Sequence, residues 1–125
     1  MKKIIIFGAG RASRDILQLI EQINKTTITW KVLAFVDPDP QLKNQIVDGV
    51  PVFETITPEL AKQASYGITG VQIPNIREKT IGAEIEANLL KLATLIHPAI
   101  DVPDDAHIAD GCVLFPGVFV AKNVT

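Results

Sequence analysis

The chain has 125 residues, of which 47% are hydrophobic and 21% charged, with a formal net charge of −2. That length fits about one domain; the apolar content excludes a disordered chain, and the absence of a basic excess argues against nucleic acid as a partner. A single cysteine, Cys112, cannot form an internal disulfide and fits a reducing, cytoplasmic setting.

The first segment, Ile4-Ile5-Ile6-Phe7, is an apolar run that ends at Gly8-Ala9-Gly10. It is too short, and too soon followed by Arg11 and Arg14, for a signal peptide, and no stretch approaches the roughly 20 apolar residues that span a bilayer. A β-branched and aromatic run closed by glycine predicts a buried strand and a tight turn. Beyond it Ile16, Leu17, Leu19, Ile20 and Ile23 recur at helical spacing. Strand, glycine turn and helix open a βαβ unit in which backbone N–H groups at the helix start face a phosphate, Gly8 and Gly10 allowing its close approach. Ser13 stands where the full fingerprint has its third Gly or Ala. The competing reading is a plain turn with no ligand, since the motif alone is a weak signal.

Asn24 to Thr29 is a polar connection, and Trp30 to Asp37 a second strand whose continuous apolar run implies burial on both faces, as in a parallel sheet. It stops at Asp37-Pro38-Asp39-Pro40, because prolines lack the ladder donor. Asp37 at that end either accepts hydrogen bonds from a ribose or caps its own turn. Asp48-Gly49 signals a turn, and Pro51-Val52-Phe53 a short edge strand. Thr57 as N-cap and Pro58 at the first helical position predict a short helix to about Gln63. Tyr66 to Thr69 is the next strand, closed by Gly70. After the loop Val71 to Pro74, Asn75 is the N-cap of a helix from Ile76 to about Lys91. Ala93 to Ile96 is a further buried strand, ended by His97-Pro98.

From there the rhythm changes. Ile100, Ala106, Cys112, Val118 and Val124 form one column and Val102, Ile108, Leu114 and Val120 another, both with a period of six, which Gly111 and Gly117 share. Hexapeptide periodicity predicts a β-helix. About four six-residue sides make little more than one triangular coil, leaving a strand edge open to a second copy or to more chain. Cys112 is expected inside, as packing.

The stretches IIIFGAGRASRDIL, VLAFVDPDP with DGVPVF, NIREKTI, ATLIHP and AHIADGCVLFPGVFVAKNV, in that order, resemble the bacterial sugar acetyltransferases of the PglD/NeuD type. The resemblance implies an α/β fold: a small Rossmann-like parallel sheet over residues 1–97, then the first coil of a left-handed β-helix over 98–125. It implies a nucleotide sugar, UDP- or CMP-linked, as ligand, held by Arg11, Ala12 and Ser13 after the glycine turn, by Asp37 and Pro38, and by Gly70 and Asn75. Arg11 is either a phosphate partner or a solvated residue at a helix start. Relatives bind acetyl-CoA along later coils, between subunits, and place a His followed by an acid there as catalytic base. The chain stops before such a motif, so neither a catalytic residue nor acetyl-CoA binding is expected of it. No metal site is expected either. His97 is read as ordering the junction between the two parts and His107 as outward-facing. The alternative implied by similar openings in sugar-nucleotide dehydratases and glycosyl-phosphate transferases is a stand-alone NAD- or nucleotide-binding module.

Overall fold

A computed structural model describes residues 1–69, 90–108, 111–118 and 120. Its elements are β1 (Lys2–Phe7), α1 (Arg11–Thr26), β2 (Trp30–Val36), β3 (Ile46–Val47), β4 (Val50–Phe53), α2 (Pro58–Gln63), β5 (Tyr66–Thr69), β6 (Lys91–Leu92), β7 (Leu95–Ile96) and β8 (Val113–Leu114). Six strands form one sheet in the order β3-β4-β2-β1-β5-β6, and β7 and β8 a second. All pairs are parallel except β3 with β4.

β1 is central because both its faces have a partner. Ile4 and Ile6 join one buried cluster with Ile16, Leu19 and Ile20 of α1. Ile5 and Phe7 point the other way, into a cluster with Ala34, Val36 and Leu60. Side chains alternate across a strand, so an unbroken apolar run needs two cores. Each such residue, fully buried, contributes about 1.5–3 kcal/mol. Between Ile4 and Ile5 the register against β2 slips by one residue, so Phe7 lies opposite Val36. Because a one-residue slip exchanges faces, this irregularity decides which way Asp37 points.

α1 runs through Thr26, further than the polar composition after Ile23 predicts. The reason is Asn24. Its Oδ1 accepts from the N–H groups of Thr29 and Trp30, each at 3.0 Å, and its Nδ2 donates to the Trp30 carbonyl at 2.8 Å. α2 starts as expected, Thr57 Oγ1 accepting from the Leu60 N–H at 3.2 Å with Pro58 as first helical residue.

Three expectations need correction. β4 is not the edge, because Asp48 (φ 51°) and Gly49 (φ 82°) make a two-residue hairpin that adds β3 outside it. The helix expected from Ile76 lies outside the described residues apart from its end, and it does not reach Lys91: Lys91 donates to the Ser65 carbonyl as part of β6. Pairing with β5 there overrides helix propensity. The expected strand Ala93–Ile96 is divided. The Ala93 N–H still bonds the Gly67 carbonyl in the main sheet, whereas the Leu95 N–H bonds the Cys112 carbonyl in the second.

Leu95 pairs with Val113 and Ile96 with Leu114, each 18 residues on. Backbone turns closed from residue i to i+3 begin at His97, Pro103 and Phe115, and Gly111 and Gly117 share φ values of 86° and 92°. Ala106, Ile108, Cys112 and Leu114 are half-buried and Val120 is buried, but Val118 is 42% exposed. The first column is therefore not inward throughout.

Candidate functional site

The carboxyl ends of β1 and β2 lie side by side, and the turn between β1 and α1 sits on them. Gly8 has φ 94°, a conformation open to glycine at little cost, and its N–H continues the ladder to the Val36 carbonyl at 2.7 Å. The buried Ala9 donates its N–H to Asp37 Oδ2 at 2.9 Å. Gly10 is the N-cap of α1, extended at φ −81°, and no side chain caps the helix. The first turn of α1 carries no acidic residue, so its N–H groups and the positive end of the helix dipole meet no counter-charge among the described residues.

Asp37 is only 8% exposed. Its second oxygen, Oδ1, accepts from the Asp39 N–H at 2.9 Å, so it caps its own turn, as one of the two readings of the sequence held. Pro38 is exposed beside it. Arg11 and Ala12 are exposed on the first helical turn. Ser13 is buried, its hydroxyl donating to the Phe7 carbonyl at 3.4 Å, which lets helix and strand approach closely. The structure thus brings Gly8, Gly10, Arg11, Ala12, Asp37 and Pro38 to one rim. Gly70 and Asn75 lie outside the described residues.

A cleft of about 720 Å³ opens from this turn along α1, lined by Ala9, Gly10, Arg11, Arg14 and Asp48 among others. Arg14 and Asp48 were not apparent as a pair from the sequence. Arg14 Nε donates to Asp48 Oδ2 at 3.0 Å and a terminal guanidinium nitrogen to Oδ1 at 3.3 Å. These hydrogen bonds, and then the charge of Asp48, raise the Arg14 pKa further above its ordinary value. The only signal in the sequence is Asp48-Gly49 as a hairpin tip; that the tip reaches a helix 34 residues away is a product of sheet order. Arg11 makes no ion pair among the described residues.

The two histidines lie elsewhere. His97 Nδ1 accepts from the Ala99 N–H at 3.0 Å, and the His97 N–H bonds the Leu114 carbonyl at 3.1 Å, while His107 is exposed. Cys112 is half-buried and free. Among the described residues no group of His, Cys, Asp and Glu could hold a metal ion, and no helix is long and apolar enough to cross a membrane.

Comparison with known proteins adds the following. No match was found among curated proteins. Among solved structures, a mutant of perosamine N-acetyltransferase from Caulobacter crescentus, in complex with CoA and GDP-perosamine, superposes with a TM-score of 0.80 at 22% identity, covering 98% of this chain and 56% of that one. RSP, a Rex-family repressor, gives 0.60 at 20% identity over 91% of this chain and 51% of its own. UDP-D-quinovosamine 4-dehydrogenase from Vibrio fischeri gives 0.55 at 21% identity, over 72% and 74%. At such identities the likeness is one of fold, and the chain spans little more than half the length of the acetyltransferase. The PglD N-terminal domain matches residues 3–82. With well over half its residues within that match, the chain belongs to the PglD N-terminal domain family.

Proposed function

We propose that this chain is the nucleotide-sugar-binding, N-terminal portion of an acetyl-CoA-dependent acetyltransferase. The complete protein would move an acetyl group from acetyl-CoA to an amino or hydroxyl group of a UDP-, CMP- or similarly linked sugar. The observation that carries the binding half is Gly10. Its φ of −81° suits any residue, and an added Cβ would meet nothing within 4 Å among the described residues. The fold does not require glycine there; close approach of a diphosphate to the backbone does. Gly8, Ala12 and Pro38 shape the same rim, and Ser13 holds the helix close beneath it. Arg11, without an ion pair among the described residues, would face the phosphates, and Gly70 and Asn75 are proposed as further contacts to the ligand. Perosamine N-acetyltransferase, with CoA and GDP-perosamine bound, supports the ligand class.

Residues 1–97 form the binding domain in this reading, and 98–125 begin a hexapeptide β-helix. The 18-residue step between β7 and β8, three sides of six, supports such a coil, with Leu95-Ile96 at the end of the first domain as its first side. The edge of β8 that has no partner among the described residues would meet further coils or a second copy, and acetyl-CoA would lie there rather than on this chain. Neither histidine lies at the cleft, and acetyl transfer needs a base within hydrogen-bond reach of the acceptor. Calorimetric titration with UDP-GlcNAc, a GDP-linked sugar and CMP-linked sialic acid tests the binding: heat from at least one is expected, and silence from all three would overturn it. Incubation with acetyl-CoA and UDP-amino sugars is expected to give no turnover.

A second reading, a nucleotide-binding regulatory module, is favoured by the likeness to RSP, which also matches at 0.59 in complex with β-NADH. Heat from NADH alone would select it.

A further inference from the structure

We infer that Asp37 is a positioning residue that holds the ligand-facing turn in shape, rather than the group that reads a ribose; the inference rests on the nucleotide-sugar reading. Three chain segments meet on this residue. Its Oδ2 takes the Ala9 N–H, its Oδ1 the Asp39 N–H, and its own N–H bonds the Phe53 carbonyl at 2.9 Å. The carboxylate has no salt-bridge partner among the described residues; each oxygen takes one backbone donor instead, in hydrogen bonds that charge makes roughly twice as strong as neutral ones.

The turn needs such an anchor. Two of its three residues are glycines, the most conformationally free of residues, and Ala9 between them is the only one with a side chain to pack. Asp37 fixes Ala9 from the backbone while the core fixes its methyl group. With the Ala9 N–H directed inward, the N–H groups left for a phosphate are those from Gly10 onward, and their direction is set before a ligand arrives. Preorganisation of this kind raises affinity by lowering the ordering cost of binding.

Asp37→Asn separates the two roles. It is nearly isosteric, but one of its two polar atoms becomes a donor, so it cannot accept from both Ala9 and Asp39. In the unmutated protein, amide hydrogen exchange at Ala9, corrected for intrinsic rates, is expected to be at least about tenfold slower than at Gly10, whose N–H has no partner among the described residues. Equal rates would overturn the inference without any variant. In Asp37→Asn the ratio should collapse, and affinity for UDP-GlcNAc should fall about 10–100-fold. The cycle against the 2′-deoxy ligand is decisive: for a positioning residue the deoxy penalty is the same in both proteins. A penalty present in the unmutated protein and lost in Asp37→Asn means direct ribose contact and sinks the proposal. If the unmutated protein binds no nucleotide sugar, the parent reading fails, and the exchange ratio still decides whether Asp37 braces the turn.

Discussion

Gly10 and Gly8 sit two residues apart and have different reasons to be glycine. At Gly8 the backbone φ of 94° demands it; at Gly10 the surroundings are open and the backbone is ordinary. Gly10→Ala is therefore expected to cost no more than about 1 kcal/mol, the preference for glycine over alanine at an N-cap, while lowering nucleotide-sugar affinity at least about tenfold, because the new methyl group stands where a phosphate oxygen would approach. A melting curve and a titration on one preparation check both halves, and equal affinity would remove the case for a ligand at the turn. Asn24 is the opposite kind of residue, remote from the rim and structural in every contact. Asn24→Ala forfeits three hydrogen bonds from α1, one to Thr29 and two to Trp30 at the start of β2, and is expected to cost about 1–3 kcal/mol, read from chemical denaturation, with no change in affinity.

Among elements, those whose signals are local were legible in the sequence. β1, β2 and β5 are apolar runs closed by glycine, proline or acid. α2 has both of its start signals in adjacent residues, Thr57 and Pro58. What could not be read depends on partners distant in the chain. β3 has only two residues, and exists because the Asp48-Gly49 turn returns it along β4. Lys91-Leu92 and Leu95-Ile96 look like one continuous segment, yet bond to different sheets because Ser65 and Gly67 lie on one side and Cys112 and Leu114 on the other. The site divides the same way. The glycine turn announces itself, and so does Asp37 as a cap of its own turn, whereas its bond to the Ala9 N–H could not be read, since a one-residue slip in β1–β2 register sets its direction. The Arg14–Asp48 contact is likewise an outcome of sheet order. Both side chains are about half exposed, and exposed pairs contribute little to stability. Asp48→Asn is expected to leave the melting temperature unchanged but to speed amide exchange in the β3–β4 hairpin; a large drop in melting temperature would contradict that.

For the molecule as a whole, stability rests on the two apolar clusters that sandwich β1. Ile6→Ala, at a site with no exposure, is expected to cost about 2–5 kcal/mol, enough to threaten a domain of this size; denaturant titration measures it, and a loss below about 1 kcal/mol would mean a core less tightly packed than the structure shows. The C-terminal segment shares this foundation, since Leu95 belongs to the cluster beneath α1, and Val113 and Phe115 pack against it.

Because hydrocarbon occupies the space above and below the central strand, chemistry is confined to the lip where the strands end. The exposed side chains at that lip, Arg11, Ala12 and Pro38, add little to what keeps the protein folded, whereas the buried Asp37 ties the lip to its neighbours. A ligand of the proposed class could then be exchanged for another by substitutions at those exposed positions, which belong to neither apolar cluster.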